Sequence, residues 1–211
     1  MKSWLILLMI LIFSSCKKEE SCTPTTINYE NYSGLKIGNY WVYYVDVFDE
    51  NGDFVRDSTG NDSVSITGEK QFNGNTYFIQ SHFSNGNLVY NNYLRDSLEY
   101  LVNPYGQIYY SSTNFTDILS SDFVVYGQDT VCKREFFMCE NDKNFNVPAG
   151  NFKSITARRK LYVYPKVNGQ HPIKNADMVY SKGVGLIFER IYYAPITNSC
   201  YERKLARYKV E

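Results

Sequence analysis

Histidine is nearly missing from this 211-residue chain, which holds only His82 and His171. Two imidazoles so far apart give little material for a histidine metal centre or for a nucleophile–base pair, so neither metal nor catalytic residues are expected. Charge of one sign is missing too: 22 Lys and Arg balance 22 Asp and Glu, against the basic excess of a dedicated nucleic-acid binder. The longest apolar run, residues 4–13, is ten long, whereas a helix across a ~30 Å hydrocarbon core needs roughly 20. There is no phosphate-cradling glycine loop and no dinucleotide fingerprint, so no cofactor is implied. No window after the N-terminal segment repeats at a helical period, and the short connections exclude a parallel α/β sheet. What the chain does have is aromatics, 17% of residues, of which 20 are Tyr, beside 44% hydrophobic and 21% charged residues. That composition describes a folded globular protein rich in strand formers.

The first residues set an address. Met1-Lys2 is followed by the apolar run, then Ser14, Ser15 and Cys16. This order resembles a bacterial lipobox, which implies a signal peptide over 1–15 and a diacylated Cys16 as the mature N-terminus. Phe13 stands where that motif usually has Leu. The alternative is an ordinary signal cut nearby, with Cys16 discarded or free. Lys17-Lys18-Glu19-Glu20 resembles the surface-export signal of Bacteroidota lipoproteins, and reads equally as a solvated tether over 16–34. The expected location is the cell envelope, as an outer-membrane lipoprotein displayed outward, with the membrane as partner through lipid on Cys16.

Turn signals punctuate the remainder: Asn51-Gly52, Asn73-Gly74, Asn85-Gly86, Asn168-Gly169, Pro104-Tyr105-Gly106, Pro148-Ala149-Gly150 and Lys182-Gly183-Val184-Gly185. Strands are expected over 39–48, 63–71, 76–83, 88–95, 98–103, 107–111, 122–126, 130–140, 151–164, 178–181, 186–193 and 200–210, with one short helical turn over 114–121. The fold class is all-β: an antiparallel meander over 35–211 forming a curved sheet, sandwich or half-open barrel, because so many strands must cover their edges.

Irregular alternation marks two strands. Arg159 shares parity with Ile155, Ala157, Leu161 and Val163. A bulge that resets the register explains this, as does an Arg lining an internal site. Glu189 and Arg190 carry the same ambiguity. Residues 1–130 hold 7 basic and 15 acidic side chains, while 131–211 hold 15 and 7. Arg158, Lys160, Arg203 and Arg207 are candidates for a basic face toward anionic glycan or lipopolysaccharide phosphates, the alternative being exposed cross-strand ion pairs. Among Cys22, Cys132, Cys139 and Cys200, the seven-residue spacing within one strand disfavours Cys132–Cys139 and leans to Cys139–Cys200.

Asp49-Glu50-Asn51-Gly52-Asp53 is superficially like a calcium loop, but its Gly is fourth rather than sixth, and a hairpin turn accounts for it. Asp57-Ser58-Thr59, Asp62-Ser63-Val64, Asp96-Ser97-Leu98 and Asp129-Thr130-Val131 resemble the O-glycosylation acceptor of Bacteroidota, with Ser58, Ser63, Ser97 and Thr130 as acceptors if all four sit on exposed turns. The plain alternative is Asp-Ser turn capping.

Leu35-Lys36-Ile37-Gly38-Asn39-Tyr40-Trp41-Val42-Tyr43-Tyr44, Val147-Pro148-Ala149-Gly150-Asn151-Phe152 and Tyr180-Ser181-Lys182-Gly183-Val184-Gly185-Leu186-Ile187 occur in this order. Together they resemble uncharacterised Bacteroidota lipoproteins, which implies a curved antiparallel sheet and an envelope location but no catalytic residue. Gly38 and Trp41 enclose two residues rather than the one of lipocalins, leaving that barrel as the second architecture. The functional expectation is a non-enzymatic binding or assembly module for glycan or another envelope protein, with contacts at Arg158, Arg159, Tyr192 and Tyr193. The alternative is a carrier of lipid or another hydrophobic ligand. Small apolar inward positions would favour the carrier; an interior of Tyr, Phe and Trp would favour a solid scaffold.

Overall fold

The computed structural model describes residues 29–164, 173–195 and 197–211, with backbone alone for 57–61. Twelve strands run through them: β1 Tyr40–Phe48, β2 Phe54–Phe72, β3 Asn75–Ser84, β4 Asn87–Ser97, β5 Tyr100–Val102, β6 Ile108–Ser111, β7 Ile118–Tyr126, β8 Asp129–Val147, β9 Gly150–Val163, β10 Ile173–Ser181, β11 Gly185–Tyr192 and β12 Cys200–Lys209. They form one antiparallel sheet in the order β6-β5-β4-β3-β2-β1-β12-β11-β10-β9-β8-β7. Every neighbour is consecutive in sequence except β1 and β12, so the two halves of the chain spread outward from that pair. The outer strands, β6 and β7, are also consecutive, and they bring the sheet round into a nearly closed barrel.

The turns follow local chemistry. Asn73-Gly74 and Asn85-Gly86 take positive φ at both residues (49° and 78°, 51° and 76°), the geometry that matches the twist of two-residue hairpins. At 49–53 the Asp49 carboxylate accepts the amides of Asn51 (2.8 Å) and Asp53 (3.0 Å), so this acidic stretch caps a hairpin. Alternation then sorts β1: Trp41 and Tyr43 are buried while Tyr40 and Tyr44 face out.

At the β6–β7 seam one side chain bridges to the facing backbone. Ser120 Oγ accepts the Ile108 amide (3.3 Å) and donates to the Ile108 carbonyl (3.1 Å), in place of a strand ladder. Gln107 Nε2 donates to Asp122 alongside at 3.3 Å. The connection 112–117 holds no helix, contrary to expectation. Ser111 Oγ takes the amides of Thr113 and Asn114, and Asn114 Oδ1 takes those of Thr116 and Asp117, so side chains satisfy this backbone and β7 begins at Ile118.

Around the barrel, the β1–β2, β3–β4, β7–β8 and β11–β12 connections define an upper rim. The β2–β3, β8–β9 and β10–β11 turns lie at the lower rim, where the described chain both begins and ends. The lower rim is sealed. Trp41 Nε1 donates to the Val184 carbonyl (2.6 Å), and Tyr32 packs edge-on against Tyr110. Tyr32 and Ser33, assigned to the tether from sequence, are buried in the domain. The core continues upward through Tyr43, Tyr110, Phe136, Tyr180, Ile187 and Leu205.

Cysteine pairing is corrected: Cys132, Cys139 and Cys200 are all free. Cys139 and Cys200 lie on β8 and β12, with three strands between them. Cys139 sits at a register shift of β8, its thiol pushed up to about 11 by burial. Cys16, Cys22, His171 and the Asn168-Gly169 turn lie outside the described residues.

Candidate functional site

The barrel interior carries a polar layer that few inward-facing positions announce. Glu189 on β11 and Arg203 on β12 are cross-strand partners, and Arg203 Nη2 donates to the Glu189 carboxylate. Arg203 Nη1 lies 3.3 Å from His82 Nδ1 on β3, and its guanidinium stands 5.2 Å from the Tyr43 ring centre. Because a guanidinium only donates, Nδ1 must accept and the His82 proton sits on Nε2, 3.1 Å from Gln80 Oε1. Tyr90 on β4 stacks on the imidazole with ring centres 4.2 Å apart. Burial, and then the Arg203 charge, hold His82 down at about 3, so it is neutral. Burial works against the Arg203 charge, and Glu189 together with the Tyr43 and Tyr90 phenols more than offsets it, leaving the guanidinium more basic than usual. Burial raises the Tyr43 phenol, and raises Tyr201 to about 12.

Beside this layer lies a cavity of about 80 Å³, lined by Arg203, Glu189, His82, Asn92, Tyr43 and Tyr109 among others. Arg203 Nε is buried without a protein partner. A space of this size holds several waters, far below the several hundred Å³ of a pocket for a drug-sized ligand.

Above the β5–β6 hairpin the wall is interrupted. β5 pairs with β4 only at Arg95, Asp96 and Ser97, and β6 meets β7 near Ser120. Among the described residues, nothing pairs with the outer edge of β4 over 87–93 or of β7 over 123–126. Leu88, Val89 and Tyr90 on one side and Phe123, Val125 and Tyr126 on the other are exposed. Three consecutive exposed residues mean that β4 shows both of its faces. Tyr90 and Asn92 from this edge also line the interior cavity, so the notch opens onto the polar layer.

The contact residues expected from sequence do not converge. Arg158 faces outward in a bidentate pair with Asp177 on β10 (2.6 and 2.8 Å). Arg159 takes the opposite face. Between β9 and β10 the register from Ser154 to Tyr162 is unbroken, so the bulge reading is corrected and Arg159 lines the interior, its Nε buried without a partner. Glu189 and Arg190 divide likewise, inward to Arg203 and outward to Glu202 (2.5 Å). Tyr192 is half-buried against Cys132, Leu161 and Ala176, while Tyr193 is exposed and leans on Tyr201 with ring centres 5.4 Å apart.

No single basic face forms, since Arg203 is inside and Arg158 is paired outside. Acidic and basic halves meet instead as Asp46–Lys204 and Asp122–Arg134. The requirement that all four Asp-Ser/Thr hydroxyls sit on exposed turns is not met: Ser58 and Ser63 lie within β2, Ser63 half-buried, while Ser97 ends β4 and Thr130 is the second residue of β8.

Sequence alone sets His82 aside for want of a partner and assigns no role to Gln80, Asn92 or the 88–90 edge. Of these only the edge carries a signal, Leu88-Val89-Tyr90, an unalternating apolar triplet just after an Asn-Gly turn.

No family model and no curated protein matches the chain. Two solved structures do. One is a presumed exported protein with a YmcC-like fold from Bacteroides fragilis, at 9% identity and a TM-score of 0.43, over 85% of this chain and 99% of that one. The other is a presumed lipoprotein from Parabacteroides distasonis, at 12% identity and a TM-score of 0.45, over 86% of this chain and 100% of that one.

Proposed function

We propose that this chain is a lipid-anchored protein of the cell envelope, held through Cys16, whose role is to bind or assemble with another envelope component rather than to catalyse. The observation that carries the non-carrier part is the filled interior. Trp41, Tyr43, Tyr110, Phe136 and Tyr180 fill the barrel below the polar layer and leave about 80 Å³ beside it. The space above, about 350 Å³ at the upper mouth, is lined by Arg56, Asp62, Ser84 and Asn85 as well as Val45 and Tyr201, and is open to solvent. An acyl chain needs a continuous apolar lumen, whereas this interior is crossed by the Arg203–Glu189 pair and the Gln80–His82 layer. Binding therefore falls to the outer surface. The anchor rests on the lipobox of residues 1–16, and display on the outer membrane on Lys17-Lys18-Glu19-Glu20.

Intact and native mass spectra of the full chain purified from bacterial envelopes test this. The expected intact mass is the polypeptide from Cys16 plus acyl groups, with no further lipid retained under gentle ionisation. Stoichiometric non-covalent lipid would overturn the scaffold reading in favour of a carrier. Mass in hexose increments would place glycan on this chain, with Ser97 and Thr130, at strand ends, the first positions to map.

A further inference from the structure

We infer that the notch between β4 and β7 is a strand-addition site that takes a β-hairpin of another envelope polypeptide. This inference rests on the reading of the chain as an envelope binding module. Two edges, over 87–93 and 123–126, face across the wall, each paired on one side only among the described residues. The β5–β6 hairpin fills the two strand positions between them lower down. At the ~4.8 Å spacing of paired strands, two missing positions correspond to roughly 14 Å from edge to edge.

The chemistry selects a polypeptide. A free strand edge offers backbone N–H and C=O groups at ladder spacing, which another backbone matches residue by residue and a sugar or acyl chain does not. Neither edge has the usual guards against such pairing: 87–93 and 123–126 hold no Lys, Arg, Asp, Glu or Pro. The flanking side chains Leu88, Val89, Phe123, Val125 and Tyr126 are apolar and each more than half exposed, so the occupant carries apolar residues and no net charge on the strands that meet them.

A second copy of this chain fits less well. An isologous β7–β7 contact would join edges of about four residues, well short of the ~1,200 Å² at which stable interfaces begin, and would leave the β4 edge open. A two-stranded hairpin satisfies both edges at once and completes the wall.

The test places a photo-crosslinking benzoylphenylalanine at Leu88 or at Phe123 in the full-length protein in its native envelope. The same residue at Tyr44, on a strand paired on both sides, is the control. Cross-linked peptides are identified by mass spectrometry. The expected result is that Leu88 and Phe123 reach the same partner within one hairpin-forming segment, and that Tyr44 does not. Val89→Lys and Val125→Lys each put a guard charge on one edge and should cut cross-linking at least tenfold with an unchanged melting temperature. Cross-links into a second copy, into glycan or lipid, from one wall only, or from neither wall would overturn the inference. Acylated Cys16 without these cross-links removes this inference and leaves the envelope reading standing; unacylated Cys16 removes that reading whatever the cross-links show.

Discussion

Arg203 places a permanent charge where its side chain is only 7% exposed, and the fold compensates it through Glu189, 13% exposed. Truncating one partner leaves the other charged, buried and unpaired, which costs about 3–5 kcal/mol. Arg203→Met should therefore lower stability by that amount in urea titrations, and adding Glu189→Leu should restore most of it. If the single and double variants were equally unstable, the pair would not be what compensates the charge. His82 gives the layer a pH dependence. Its folded value of about 3 lies below the ordinary 6.5, so as pH falls the unfolded chain takes up the proton first. This contribution is intact above pH 6.5 and is lost progressively toward pH 3, at up to ~1.4 kcal/mol per pH unit. The groups around the ring are Arg203, Gln80, Asn92 and Tyr90, and the first of these opposes a second positive charge. His82→Gln removes the titration, so its stability should fall less steeply than that of the native protein between pH 6.5 and 4. Parallel slopes would mean that other groups govern acid unfolding.

Single contacts also decide whether elements join, and the seam is the clearest case. Ser120 bridges the β6 backbone at Ile108, donating and accepting through one oxygen. Ser120→Ala strands both groups at a half-buried position and should cost about 1–2 kcal/mol, with faster amide exchange at Ile108 than at β1. Exchange unchanged at Ile108 would mean that the seam is held elsewhere. The elements themselves were largely legible. Asn-Gly turns marked where β2 meets β3 and β3 meets β4, and the strand expected over 39–48 is β1, Tyr40–Phe48. Strand length was not legible where polarity runs unbroken. β2 continues back through Asp57 to Asp62, and β8 runs on past Glu140 to Val147, with Asp142 at positive φ and two register shifts. Their neighbours supply the ladder, so these segments need no apolar face of their own. Residues 114–121 failed for the opposite reason, since Asn and Ser side chains took the backbone bonds that a helical turn would have used. Arg159 and Glu189 could not be placed because parity says which face a residue takes only when the register is known.

At the scale of the whole molecule, the question is where the barrel begins, because the N-terminal segment enters it at the sealed lower rim. Sequence put the boundary at Leu35, but the packing starts sooner. Tyr32 lies against Tyr110, Ser33 Oγ donates to Asp96 at 2.6 Å, and the Asn31 carbonyl accepts the Gly183 amide at 2.9 Å. Burial already raises Asp96, and the Ser33 hydroxyl opposes that shift, so removing it leaves a buried carboxyl less satisfied. Gly34, at φ +65°, brings the chain past Trp41 so closely that an added Cβ would lie 2.9 Å from the indole and 3.0 Å from the Val184 carbonyl oxygen. The segment thus works as a plug over Trp41, the only Trp among the described residues. A variant beginning at Tyr29 should melt with the full-length protein. One beginning at Leu35 loses a buried Tyr and the partner of a buried carboxyl, and should be less stable by roughly 3 kcal/mol or more. Its Trp41 fluorescence should shift to longer wavelength as the indole meets water, and Gly34→Ala in the full chain should move the same signal in the same direction. If the Leu35 variant instead matched the Tyr29 variant in melting temperature and emission, residues 29–34 would belong to the tether, and the lower rim would be closed by the β10–β11 turn alone.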